Sequence, residues 1–364
     1  MLDGRGSPLA PLPAGDLRAN ELLTTALRVG ELIDDDVALV IATSGTTGVP
    51  KGAMLTAAAV IAAASASHDR LGGPGTWLLA LPAYHIAGMQ VLVRSVLAGT
   101  VPVELDIARG FDPAELPRAV AQLGSGRAYI ALVAAQLSKA LADPVAVDAL
   151  RELDAVLLGG GPAPQPVLDG AAAAGISVVR SYGSSETAGG CVYDGMPLDG
   201  VRVRIDDVDG TGMGRIVIGG PVLAKGYRNP PDPDPFAERG WFHTGDLGLL
   251  ESNHLRVLGR IDEAISTGGL TVLPGPVEAV LSQHPAIAEC AVFGVDDDRL
   301  GQRVAVAVVV DALSAAPTLQ ELREFSGRSL DRFAAPREVH IVDELPRSRM
   351  GKLDRGMLRE RFSP

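Results

Sequence analysis

The chain has 364 residues, 47% of them apolar and 21% charged, with a formal net charge of −12. That length exceeds the roughly 100–200 residues usual for one domain, and the acidity excludes nonspecific nucleic-acid binding, which needs a basic face. A polyanionic ligand must therefore be met locally, by backbone N–H groups, a metal ion or a few placed cations.

The first segment, "MLDGRGSPLAPLPAGD", has no basic stretch followed by an apolar one, so no secretory signal is expected. No apolar run approaches the ~20 residues of a membrane-spanning helix, and the two cysteines, Cys191 and Cys290, do not suggest a disulfide framework. A cytoplasmic protein without integral membrane association is the expectation.

The run "VALVIA" (37–42) reads as a buried strand. It feeds "TSGTTGVPKG" (43–52), rich in glycine and hydroxyls and closed by Lys51, with a helix expected to follow. Successive backbone N–H groups in such a loop form an anion-binding nest, and the hydroxyls add donors. Lys51 is followed by Gly52, so this is not the G-x-x-x-x-G-K-[ST] phosphate loop.

Helical stretches at 57–71, 88–99 and 164–175 then alternate with strand-like runs at 76–82, 153–161 and 176–183. Such alternation predicts α/β layering around a largely parallel sheet. From 201 to 257 the pattern turns to short alternating strands, read as a distorted barrel or sandwich, with "NPPDPDP" (229–235) as a surface loop. After Arg260 come a helix (277–284), the strands "AECAVFGV" and "RVAVAVVV", a helix (319–330) and the strand "REVHIV". The predicted fold class is α/β: a large N-terminal domain over residues 1–260, with a β-rich part at about 195–260, and a small α+β domain over 261–364.

Five ordered segments carry a family resemblance. "TSGTTGVPKG" resembles the phosphate-binding signature of adenylate-forming enzymes, the group of acyl-CoA synthetases, nonribosomal adenylation domains and luciferases. "SYGSSET" (181–187), "WFHTGDLG" (241–248), "GRIDEAISTGG" (259–269) and "PRSRMGKLDR" (346–355) resemble, in the expected order, the Tyr-Gly-x-x-Glu, Thr-Gly-Asp, hinge and catalytic-lysine motifs of that family. The resemblance implies an enzyme that joins a carboxylate to AMP, with ATP and Mg²⁺, and passes the acyl group to coenzyme A. It also implies a large domain shortened at its front and a small mobile domain behind it.

The implied roles fall on particular residues. Thr43, Ser44, Gly45, Thr46, Thr47 and Gly48 would hold the β- and γ-phosphates, with Lys51 adding charge. Gly160 and Gly161 would let the main chain approach the base; Tyr182 and Gly183 would flank adenine, with Tyr182 stacked on it. Thr187 would bond the α-phosphate, Glu186 would ligate Mg²⁺, Asp246 would accept from the ribose hydroxyls, and Arg260 would assist at ribose or phosphate. Lys352 would bridge carboxylate and α-phosphate, a role worth roughly 2.7–4 kcal/mol or more in the transition state.

Asp262 falls at the implied hinge, and Gly268 and Gly269 would leave room for the pantetheine arm of coenzyme A. Leu270 and Thr271 depart from the polar pair usual after those glycines. "PAYHIAG" (82–88) resembles the family's aromatic gate, so His85 would close the acyl channel or touch the substrate carboxylate. Ser185, Gly189, Gly190 and Cys191 join His85 as candidate acyl-pocket residues, and no anchoring cation for a second substrate carboxylate is identifiable. No zinc spacing, G-x-S-x-G or G-x-G-x-x-G is present. The residues leave open an acyl-CoA ligase, an adenylation enzyme loading a carrier protein and a non-catalytic nucleotide-binding protein; small molecules are the expected partners, and a homodimer is compatible with the sequence.

Overall fold

The computed structural model describes residue 2 and residues 6–13, 15–43, 50–347 and 353–363. Its centre is a seven-stranded sheet in the order Val103–Glu104, Thr76–Leu79, Ala128–Leu132, Ala155–Leu158, Val178–Ser184, Gly189–Tyr193, Met196–Pro197. The first five strands pair in parallel and the last two antiparallel.

Alternation along each strand sends side chains to two cores. Trp77, Tyr129, Ala131 and Leu157 pack with Val60, Ala63 and Val91 of the helices Ala57–Arg70 and Ile86–Ala98. Leu78, Ile130, Leu132, Val156 and Leu158 pack on the opposite face with Leu137, Ala146, Leu150 and Ala171 of three other helices. Thr56 caps the first of these helices, its hydroxyl accepting from the Ala59 N–H at 3.1 Å. Gly99, left-handed at φ 67°, ends the second.

Two antiparallel sheets lie beside this layer. One orders Val37–Thr43, Lys51–Thr56 and Gly226–Tyr227; the other orders Arg202–Asp206, Gly214–Gly219, Trp241–Glu251 and His254–Arg260. The part read as a distorted barrel or sandwich is mainly the four-stranded sheet, while Gly226–Tyr227 joins the three-stranded sheet and Met196–Pro197 edges the central one. The glycine–threonine loop also departs from expectation. It joins two antiparallel strands, and Lys51 opens the second of them, pairing with Thr43; the helix begins only at Ala57. The apolar alternation of "AMLT" is strand periodicity, which the expectation of a loop-to-helix junction overrode.

The described residues between Ile265 and Phe362 pack around their own apolar clusters. The long hairpin of Ile287–Asp297 and Gly301–Val310 is covered on one face by the helices Pro274–Leu281 and Leu319–Ser326. On the other face lies the helix Arg355–Phe362, which sequence reading did not find because its mean hydropathy is low and it buries only Leu358. Glu338–Ile341 adds a strand parallel to Gly301–Val310. No helix among the described residues is long and apolar enough to cross a membrane.

Gly88, in the first turn of its helix, sits against the chain that carries His85: a Cβ there would lie 2.4 Å from the Pro82 carbonyl oxygen and 2.6 Å from that of Leu81. An exposed helical glycine gains about 0.8–1.0 kcal/mol on replacement by alanine. Here the sign reverses, and Gly88→Ala is expected to cost ~1–3 kcal/mol in urea unfolding through overpacking.

Candidate active site

Ligands of open α/β sheets bind beyond the carboxyl ends of parallel strands, and some of the predicted residues lie there. Gly159–Gly161 follow the strand Ala155–Leu158; Tyr182 to Thr187 end the strand Val178–Ser184 and form the turn after it. Gly160 is left-handed at φ 83°, and a Cβ on Gly161 would meet nothing within 4 Å, so that glycine leaves an open approach.

The Tyr182 hydroxyl donates to Asp246 Oδ2 at 2.8 Å. Two residues far apart in sequence, on different sheets, thus meet at the seam. Asp246 stands directly opposite Arg260 in the pairing of Trp241–Glu251 with His254–Arg260. Arg260 Nη1 lies 3.6 Å from Asp246 Oδ1, and its Nε donates to Asp262 Oδ1 at 2.8 Å. Burial pushes the Asp246 carboxyl up, against the opposing pull of Tyr182 and Arg260. Burial and the neighbouring carboxylate push the Tyr182 phenol well above its usual range, so it stays a donor.

Each residue of "TGD" has a separate task. Thr244, buried, donates to the Ile216 carbonyl at 2.7 Å and accepts from the Asp246 N–H at 3.0 Å, fixing the backbone. A Cβ on Gly245 would come within 2.8 Å of Arg260 Nη2, so glycine clears the guanidinium. Asp246 presents the carboxylate.

The turn "SSET" is locked similarly. Thr187, 1% exposed, accepts from the Ser184 N–H at 2.9 Å and donates to the Gly189 carbonyl at 2.7 Å. In this arrangement its hydroxyl is committed to the backbone. Glu186 is buried, and the Tyr227 hydroxyl donates to its Oε1 at 2.6 Å. Its Oε2 has no hydrogen-bond partner among the described residues. A hard oxygen held on one side and open on the other suits Mg²⁺, which takes few protein carboxylates and completes its shell with phosphate and water.

Lys51 Nζ lies 5.5 Å from the Tyr227 ring centroid, which brings the loop lysine and Glu186 to one aromatic side chain. Asn229 clamps the far foot of the loop, donating to the Pro50 carbonyl at 2.7 Å and accepting from the Gly52 N–H at 3.0 Å. Tyr227 and Asn229 were missed in the sequence; "KGYRN" is polar and turn-like, and only the tertiary fold shows what it touches. Ser44, Gly45, Thr46, Thr47, Gly48 and Lys352 lie outside the described residues.

The candidate acyl pocket is denser than expected. Gly183 and Gly190 let adjacent strands approach: a Cβ on Gly183 would lie 2.1 Å from the Gly189 carbonyl oxygen, and one on Gly190 would lie 2.0 Å from Ser181 Oγ, while one on Gly189 would meet Gln90 Cγ at 3.2 Å. Ser185 is half-buried in the short turn with Glu186, and Cys191 is 0% exposed. His85 precedes the helix Ile86–Ala98, its ring centroid 4.4 Å from that of Tyr84.

Two turns into that helix is a cation that sequence reading missed. Arg94 is 3% exposed and has no carboxylate within ion-pairing distance among the described residues. Its Nη2 reaches the Tyr193 hydroxyl at 3.4 Å, its guanidinium lies 4.7 Å from the Trp77 ring centroid, and its Nε has no partner. Burial pulls its pKa down, and burial together with Arg94 lowers that of His68 nearby. Gln90, one turn earlier, donates to the Ala188 carbonyl at 2.7 Å, which ties this face to the strand Gly189–Tyr193. The signal was an arginine inside the apolar run "GMQVLVRSVLAG", where a charged side chain is buried only if something pairs with it.

Gly268 and Gly269, at φ 59° and 79°, form the two-residue turn between Thr267 and Leu270. Two successive left-handed residues explain the glycine pair without reference to a ligand. One group of metal-capable side chains lies elsewhere, Asp206, Glu238 and His243. Asp206 and Glu238 both pair with Arg204, and Glu238 also meets His243 Nε2 at 2.9 Å, so their oxygens are already engaged by protein cations and donors.

The geometry defines an α/β protein in which Asp246 and Glu186, each bonded by a tyrosine hydroxyl, lie close to the ends of the central strands. Residues 10–228 match the AMP-binding enzyme family, and residues 276–352 match the AMP-binding enzyme C-terminal domain. The chain belongs to the AMP-binding enzyme family.

It is 65% identical over 366 residues to a probable 2-succinylbenzoate–CoA ligase of Mycobacterium tuberculosis, covering 100% of this chain and 93% of that protein. It is 36% identical over 347 residues to a 2-succinylbenzoate–CoA ligase of Geobacillus, covering 90% and 69%. Among solved structures, o-succinylbenzoate CoA synthetase (MenE) from Bacillus subtilis with its acyl-adenylate intermediate superposes at a TM-score of 0.77. Identity there is 30%, over 89% of this chain and 69% of that one. The same enzyme solved with ATP and magnesium ion gives 0.75, at 30% identity over 89% and 69%.

Burial pushes the Cys191 and Cys290 thiols up to about 12, which removes the reactive thiolate at neutral pH. In the native protein at pH 8 neither thiol is expected to react with an aromatic disulfide reagent within minutes, and both are expected to react after unfolding. Absorbance of the released thiolate measures this.

Proposed function

We propose that the protein is an ATP-dependent 2-succinylbenzoate–CoA ligase, acting in two half-reactions at the seam described above. A carboxylate is a poor acyl donor because its leaving group would be oxide. Attack of the succinyl carboxylate oxygen on the α-phosphorus of ATP forms an acyl-O-AMP anhydride and expels pyrophosphate. The coenzyme A thiol, giving up its proton, then attacks the acyl carbon, and AMP leaves.

The residues are assigned from this chemistry. Asp246, oriented by Tyr182 and Arg260, is suited to accept from both ribose hydroxyls. Lys51, with the loop after Thr43, would neutralise departing phosphates, and Lys352 would stabilise charge between carboxylate and α-phosphorus. Mg²⁺, when bound, supplies further screening of the phosphate oxygens, and Glu186 would hold it. Residues 261 onward would move as a unit about Asp262 between the half-reactions. A cytoplasmic setting belongs to the same proposal, supported by two unpaired cysteines.

The observation that carries the substrate reading is Arg94. A buried guanidinium without a carboxylate is costly, and an aromatic substrate with a second carboxylate would supply the missing charge. An acid without that group leaves Arg94 unpaired.

The test is a panel of aryl and short-chain acids with ATP, Mg²⁺ and coenzyme A, read by mass spectrometry of the thioester. 2-Succinylbenzoate is expected to be the preferred acid; a carrier protein accepting in place of coenzyme A, or ATP binding with no acyl transfer from any acid, would overturn the reading. Arg94→Leu is expected to lower kcat/KM for 2-succinylbenzoate by ~30-fold or more, from the roughly 2–5 kcal/mol of a truncated buried charge pair. The same change is expected to raise thermal stability of the free protein, because it removes a desolvated, unpaired charge.

A further inference from the structure

Arg355 begins the last helix, three residues after Lys352. Its guanidinium is almost enclosed, with 10% of the side chain exposed. Four bonds hold it: Nη2 donates to both Glu278 oxygens at 2.8 Å, Nη1 to Glu263 Oε2 at 2.9 Å, and Nε to the Val292 carbonyl at 3.0 Å. Glu278 Oε1 accepts in turn from the Val292 N–H at 2.7 Å.

The partners come from three places. Glu278 lies on the helix Pro274–Leu281, Val292 on the strand Ile287–Asp297, and Glu263 in the turn Ile261–Glu263, next to Asp262. A network this enclosed is expensive to build from ions, because desolvation opposes it. Fold stability alone could be met by apolar residues of similar volume.

The base of the lysine segment is fixed around the same point. Leu353 pairs with Arg347 as an antiparallel bridge, and the Asp354 N–H donates to the Pro346 carbonyl at 2.9 Å. Asp354 caps the helix, its side chain accepting from the Met357 N–H at 3.2 Å. Three residues of chain span at most about 11 Å, so whatever fixes Arg355 limits where Lys352 can lie.

We propose that Arg355, clamped by Glu278 and Glu263, is a positioning residue: it ties the start of the last helix, three residues after Lys352, to the turn beside Asp262. The inference rests on the two-step ligase reading above. The fork geometry of arginine is required, because lysine offers a point charge and cannot bond Glu278 and Glu263 in fixed directions at once.

The half-reactions separate this from a merely structural role. Adenylation is followed by acid-dependent ATP–pyrophosphate exchange, and thioester formation by reaction of preformed succinylbenzoyl-adenylate with coenzyme A. In Arg355→Lys, and in the milder Glu263→Gln, kcat for adenylation is expected to fall by about 10-fold or more, since an ångström of misplacement can cost a factor of a hundred. KM for ATP and the thioester step are expected to change by less than about threefold, because neither uses the lysine's placement. Equal losses in both half-reactions, or unchanged adenylation in folded variants, would overturn the proposal. Lys352→Ala serves as the control: if it leaves adenylation intact, the ligase reading fails; if it abolishes adenylation while the Arg355 and Glu263 variants keep it, only the positioning role fails.

Discussion

The site depends on one hydrogen bond, from the Tyr182 hydroxyl to the Asp246 carboxylate. Tyr182 ends a strand of the central sheet, and Asp246 lies on a strand of the separate four-stranded sheet. The bond closes the seam between them and aims the carboxylate. Arg260, opposite Asp246 in the same ladder, extends the contact to Asp262. From there the chain turns through Glu263 to the Arg355 network. A ligand touching Asp246 is thus one short path from the anchor of the lysine segment.

A second constraint is electrostatic. A chain of net charge −12 must admit a nucleotide with several negative charges, and the two carboxylates beside that space add to the problem. The fold answers by giving each carboxylate a tyrosine donor, Tyr182 for Asp246 and Tyr227 for Glu186. A phenol orients an oxygen without cancelling its charge, as the Tyr227 hydroxyl does for Glu186. Arg94 follows the reverse logic. It is a buried cation with no carboxylate partner among the described residues, a costly state that, on the proposed reading, a dianionic substrate would relieve.

Much of this was legible in the sequence, and the reasons differ by element. The strands of the central sheet announce themselves through apolar runs, and the helices through alanine-rich spacing and caps such as Thr56. Glu186, Asp246 and Arg260 could be named because their neighbours, Thr187, Thr244 and Gly245, are constrained by local geometry and leave a recognisable string. Tyr227, Asn229 and Glu278 could not, because their roles come from partners tens to hundreds of residues away. The strand at Lys51–Thr56 was hidden by the expectation that a glycine-rich loop leads into a helix. Close strand packing by itself requires Gly183 and Gly190, a constraint from partners that the local string does not display.

The central claim is that the acid's own oxygen bonds to phosphorus at this seam before the thiol arrives. Isotope transfer tests it directly. With the succinyl carboxylate labelled with ¹⁸O, turnover with ATP and coenzyme A is expected to give AMP carrying one labelled oxygen and unlabelled pyrophosphate, read by mass spectrometry. Unlabelled AMP with label in an inorganic phosphate product would contradict the account, since the acid would then have been activated by transfer of a terminal phosphoryl group.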